Sequence, residues 1–122
     1  RSPSSLSASG SSLWVLDAAA GNLDEYERGP SLKLSRRHPI DGFPATIAAV
    51  EGEDVWAVDA LSRTLKRYRL QEGGKLVETG SWALEGRLPK RGPAAGLVAD
   101  ETDLWLLTRK PATIHRIRKS AL

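Results

Sequence analysis

Six basic side chains, Arg63, Arg87, Lys90, Arg91, Arg109 and Lys110, sit beside turn-forming residues: Ser62, the Pro89 and Gly92-Pro93 breaks, and Pro111. Guanidinium and ammonium groups gathered in one place hold carboxylates, phosphates or an acidic protein surface. Arg does so through a planar fork and Lys as a point charge. These six are the candidate ligand-binding residues, facing another protein or an anionic ligand. The competing reading is solvated loop charge, the usual role of a charge run. Net charge is +3 and unevenly placed: residues 1–86 carry a balance of −2 and residues 87–122 one of +5.

Other chemistry is thinly supplied. With no Cys there is no thiolate metal site, no disulfide and no cysteine nucleophile. Asp17 and Asp59 could serve as acid, base or metal ligand, but each more simply caps a turn by accepting backbone N–H groups, and Thr108 in the matching place does so more weakly. His38 and His115 are the only imidazoles, and neither falls among the basic loops. The Ser-rich lead, Ser2 to Ser12, contains no Gly-x-Ser-x-Gly elbow. No catalytic residue, metal site or cofactor is therefore expected.

What must position these residues is a repeat. The stretch 54–68 overlays without a gap on 12–26 and on 103–117, which puts Trp14, Trp56 and Trp105 in one column. Asp17, Asp59 and Thr108 follow three residues later, and Leu23, Leu65 and Ile114 nine later. The stretch 32–42 overlays in turn on 76–86, which places His38 in the column of Trp82. Self-similarity at a fixed period marks one supersecondary unit used again and again. The Trp spacings are 42 and 49, and the extra seven residues fall around Gly73-Gly74 and in 87–91, where insertions belong if strands are the fixed part.

Period-two alternation, apolar runs of four to six residues and Gly or Pro breaks read as short strands, four to a repeat. Strands are expected near 3–10, 13–17, 22–26 and 32–36, then 43–50, 54–59, 65–70 and 76–84, then 94–99, 104–107 and 114–118. Glu72-Gly73-Gly74 marks a hairpin turn. The third repeat lacks its fourth strand, leaving eleven. The repeats run 3–42, 43–91 and 92–122. No apolar run approaches the roughly 20 residues of a membrane span. Neither a membrane span nor a nucleic-acid partner is expected.

Four-stranded antiparallel units recurring every 40 to 50 residues, with Pro before the first strand and Trp in the second, resemble β-propeller blades. The run 97–107, and Val55-Trp56-Ala57-Val58-Asp59 followed by Leu65-Lys66-Arg67-Tyr68, resemble NHL, strictosidine-synthase-like or quinoprotein-like blades. WD40 blades are not resembled, because the Gly-His and Trp-Asp dipeptides are missing. The fold class expected is all-β: about three propeller blades, the last lacking its fourth strand, within a larger closed propeller. An eleven-strand sandwich is the competing architecture and does not explain so regular a repeat.

The resemblance implies further placements. Trp14, Trp56 and Trp105 should each pack between blades, and His38 should be a surface or inter-blade residue. The loops 18–21, 60–63, 109–112, 41–43 and 85–92 should share one face, bringing the six basic residues together. The function implied is a non-catalytic binding or scaffold module; the alternative is part of a propeller enzyme of the lactonase-like or quinoprotein-like kind. Fewer than four blades cannot circle an axis. The expected partner is accordingly another protein or further blades, in a longer chain or in a second copy that raises three blades to six.

Overall fold

The computed structural model describes residues 3–40, 45–59, 63–84, 94–109 and 112–122. Within them lie eleven strands and two short 3-10 turns. Strands β1 (Pro3–Ser9), β2 (Ser12–Asp17), β3 (Asn22–Glu27) and β4 (Lys33–Pro39) form the first sheet. Strands β5 (Ile47–Glu51), β6 (Asp54–Asp59), β7 (Thr64–Leu70) and β8 (Leu76–Ala83) form the second. Strands β9 (Ala94–Ala99), β10 (Asp103–Thr108) and β11 (Thr113–Arg118) form a three-stranded third. Each sheet is an antiparallel meander in which chain neighbours are also neighbours in space. The expected turn after β7 is a 3-10 turn, Glu72–Gly74, with Gly73 and Gly74 at φ of 83° and 84°.

The three sheets lie face to face, and the apolar pattern follows from which faces are covered. Successive side chains on a strand point to opposite faces. In β2, Trp14 and Leu16 enter a core shared with the second sheet, where they meet Ala48, Val50, Val55, Ala57 and Tyr68. The second sheet is covered on both sides. Its β6 is accordingly apolar at four successive positions: Val55 and Ala57 go to the first core, Trp56 and Val58 to the second. That second core joins Leu65 and Leu84 to Leu97, Leu104, Leu106 and Ile117 of the third sheet. Burying a side chain the size of Leu65 contributes about 1.5–3 kcal/mol.

At the edge strands polar groups do the joining. Ser5 Oγ donates to the Ala48 carbonyl at 2.7 Å and accepts from the Ala48 N–H at 3.2 Å. Ser7 Oγ accepts from the Val50 N–H at 3.0 Å. The β5 edge, which has no ladder partner on that side, thus finds its hydrogen bonds in side chains of β1.

One expectation is corrected. Trp14 and Trp56 are buried as foreseen, but Trp105 is partly exposed, because among the described residues no sheet lies over the face of β10 that carries it. The column sets the direction of the side chain; burial depends on what the next sheet supplies. His38, expected at the surface or between blades, takes the second place: it is fully buried between the first and second sheets. In the matching column Trp82 is half-buried.

Candidate functional site

The chain ends that lead into the loops between sheets lie beside turns joining the second and third strands of their own sheets, while 41–43 and 85–92 themselves lie outside the described residues. The Ile40 N–H donates to the Gly21 carbonyl at 2.9 Å, so the chain leaving β4 passes the β2–β3 turn. One repeat later the Leu84 N–H donates to the Arg63 carbonyl at 2.8 Å, so the chain leaving β8 passes the β6–β7 turn. Arg63 and Leu84 are therefore neighbours at the end of the second sheet. In the third sheet Thr108 pairs with Ala94 on one side and Thr113 on the other, which sets exposed Arg109 at the end where β9 begins. Arg63 and Arg109 thus occupy corresponding ends of adjacent sheets. Arg87, Lys90, Arg91 and Lys110 lie outside the described residues, as do 41–43.

Arg63 is unusual in its backbone. Its φ of 54° lies in the left-handed region, and among the described residues every other position with positive φ is a glycine. The matching place in the first sheet is Gly21, at φ 70°. A side chain held there costs about 1–2 kcal/mol relative to glycine.

The capping role of Asp17 is present: its Oδ1 accepts the Ala20 N–H at 3.1 Å. The Thr108 hydroxyl bonds His115 Nε2 at 3.0 Å, which carries His115 toward the loop end; the turn it was expected to cap includes 110–111, which lie outside the described residues. Among the described residues no group of three His, Asp or Glu is placed to hold a metal ion.

Other polar constellations were not foreseen. His38 Nδ1 donates to the Gly74 carbonyl at 2.5 Å, and its Nε2 lies 3.2 Å from Glu25 Oε1. Arg37 holds the buried Asp24 through two bonds of 2.8 and 3.2 Å, which raises the Arg37 pKa. Beside these groups a cavity of about 440 Å³ opens between the first and second sheets, lined by Pro39, Ile40, Tyr68, Lys75, Leu76 and Glu78 among others. Burial, with Glu78 adding to it, pushes the Tyr68 phenol up to about 12, so it stays protonated. At the far side, Asp100 accepts the Trp105 indole N–H at 3.0 Å and the backbone N–H groups of Thr102 and Asp103 at 2.9 and 2.7 Å. These bonds lower its carboxyl to about 2. Arg116 lies over the Trp105 ring and bonds Asp103, lowering that carboxyl too. For His38 a signal existed: its column belongs to Trp82, a place that faces a neighbouring sheet. The Asp100 network carries no periodic mark and could not be read.

No family model and no curated protein matches the sequence. Among solved structures the chain is similar to a streptogramin B lyase structure, with 16% identity and a TM-score of 0.51. That likeness covers 95% of this chain and 40% of the other, so the chain spans about two-fifths of that protein's length. At such identity the likeness shows the fold alone: the three sheets are those of β-propeller blades.

Proposed function

From three adjacent propeller blades, we propose a non-catalytic binding module whose loop end holds an anionic ligand or an acidic protein surface through Arg63, Arg87, Lys90, Arg91, Arg109 and Lys110. The observation that carries this reading is Arg63 itself. A left-handed backbone is kept by an arginine where the preceding repeat uses glycine, and strain of that kind concentrates where a side chain is needed. The basic balance of residues 87–122 supports it by raising the local concentration of anions. We place the blades with the NHL-like or quinoprotein-like kinds on the runs 55–59, 65–68 and 97–107, in repeats at 3–42, 43–91 and 92–122.

Arg63→Gly separates the roles. It should stabilise the fold by up to about 1 kcal/mol, because the relief of about 1–2 kcal/mol of backbone strain is partly offset by the greater freedom of glycine in the unfolded chain. It should also weaken binding of a poly-glutamate peptide or inorganic pyrophosphate about fivefold or more, by loss of a charged contact. Adding Arg109→Gln should weaken it further. Unchanged affinity for both probes in the double variant would sink the reading.

A second reading has one observation on its side. One similar solved structure is that of a lyase, and these blades would then belong to a propeller enzyme. A divalent ion or quinone retained by the purified protein would favour the enzyme, whereas pyrophosphate binding governed by Arg63 would favour the binding module.

A further inference from the structure

The outer faces of the first and third sheets match each other by the rule that joins the sheets internally. Ala49, Trp56, Val58 and Leu65 correspond, 49 residues on, to Val98, Trp105, Leu107 and Ile114. The first four are buried against the third sheet. The second four are 63, 37, 37 and 68% exposed. They point away from the second sheet, as the register of β10 with β9 and β11 requires: Trp105 sits opposite Val98 and Arg116, Leu107 opposite Ile114.

The receiving side repeats as well. The second sheet lays Ala48, Val55, Ala57 and Tyr68 against the first, and the third lays Leu97, Leu104, Leu106 and Ile117 against the second. The same columns in the first sheet hold Leu6, Leu13, Val15 and Tyr26. There Leu6 is 67% exposed. The stack of three sheets thus presents, at its two ends, the two halves of an interface that it completes twice within itself. Apolar faces of this kind mark an interaction surface.

Charge keeps the same register. Across the contact between second and third sheets, Lys119 Nζ lies 3.0 Å from Glu51 Oε1 and 5.4 Å from the Trp56 ring centroid. The matching places one interface further on are Asp100 for Glu51, Trp105 for Trp56 and Arg28 for Lys119. A first sheet laid on the third as the third lies on the second brings its Arg28 to Asp100 and over Trp105.

We propose that the Trp105 face of the third sheet is covered by the first sheet of a second copy of this chain, so that two copies close a ring of six sheets through two identical contacts. A head-to-tail contact gives a closed ring when its rotation closes and an open filament when it does not. The inference is independent of the anion-binding reading, since it uses none of the six basic loop residues.

Light scattering on the 122-residue chain after size-exclusion chromatography tests it. The expected mass is twice the 13.2 kDa of one chain. Leu6→Glu and Ile114→Glu, each at an exposed side chain, should give a folded 13.2 kDa species with the circular dichroism of the parent. Arg28→Glu should weaken the dimer about tenfold, reading the loss of a charge pair at an interface. A parent chain that stays at 13.2 kDa overturns the proposal and assigns the covering sheet to another polypeptide or to further blades. A dimer that survives both Leu6→Glu and Ile114→Glu overturns it in favour of another surface, and a ladder of larger masses overturns the closure.

Discussion

Trp82 stacks on Trp56 with ring centroids 5.9 Å apart and planes 26° from parallel. One repeat earlier His38 stands against Trp14 at 5.2 Å and 31°, so an imidazole and an indole do the same work in one column. Each outer-strand ring backs the buried Trp of its own sheet. Arg67 adds its guanidinium 5.6 Å from Trp56 and 5.5 Å from Trp82.

Trp56→Ala is expected to cost about 3–5 kcal/mol, the range for truncating a buried aromatic. Trp82→Ala should cost less, because Trp82 is only half-buried. Trp56→Phe should be milder than Trp56→Ala, since among the described residues the Trp56 indole N–H has no hydrogen-bond partner to lose. Guanidinium melts of the three variants check the order. Equal losses at Trp56 and Trp82 would mean that the core column has been misplaced.

Gly74→Ala and Gly52→Ala should separate two kinds of strain. Both glycines have positive φ, 84° and 60°. A Cβ on Gly74 would also meet the Arg36 side chain at 3.2 Å and His38 Cε1 at 3.3 Å, whereas at Gly52 it meets nothing. Gly52→Ala should cost about 1 kcal/mol from backbone conformation alone. Gly74→Ala should cost about 2–3 kcal/mol, and His38→Ala should relieve part of that excess in the double variant.

Ser5→Ala and Ser7→Ala should each destabilise by about 1 kcal/mol, because each strands backbone groups of β5 that no ladder serves. Thermal melts of the single and double variants give the sum. A neutral double variant would show that water replaces both hydroxyls without loss.

Acid should loosen the turn at Asp100. Its carboxyl is held at about 2 in the folded chain against an ordinary 3.8. The stabilisation is therefore complete above about pH 4 and disappears as pH falls through about 2. The Trp105 indole N–H resonance should move with a midpoint near pH 2. In Asp100→Asn that step should vanish from the acid limb of the stability curve.

The repeat could be read because Trp is scarce and returned at one offset, and because Asp17, Leu23 and their counterparts kept step with it. Strand positions followed from period two, with β9 falling on 94–99 as expected. Burial was harder to read. Trp105 stands in the same column as Trp56, flanked by apolar residues in both places, yet a face is covered only if another sheet arrives, which no local pattern encodes. The candidate site was half visible. Turn residues and charge placed Arg63 and Arg109 at corresponding sheet ends, but the left-handed backbone of Arg63 had no sequence mark, since arginine rarely adopts it. For His38 the sequence leaves two places open, and its column mate Trp82 points to the one it takes, against a neighbouring sheet.

The second sheet has a core on each face, whereas the first and third each have one. In a stack whose units touch only their neighbours, opening proceeds inward from the ends. Amide exchange should therefore be graded along the chain, slowest in β6 and faster in β2 and β10, with β4 and β11 exchanging first. Closing the ring would abolish that gradient, because every sheet would then be an interior one.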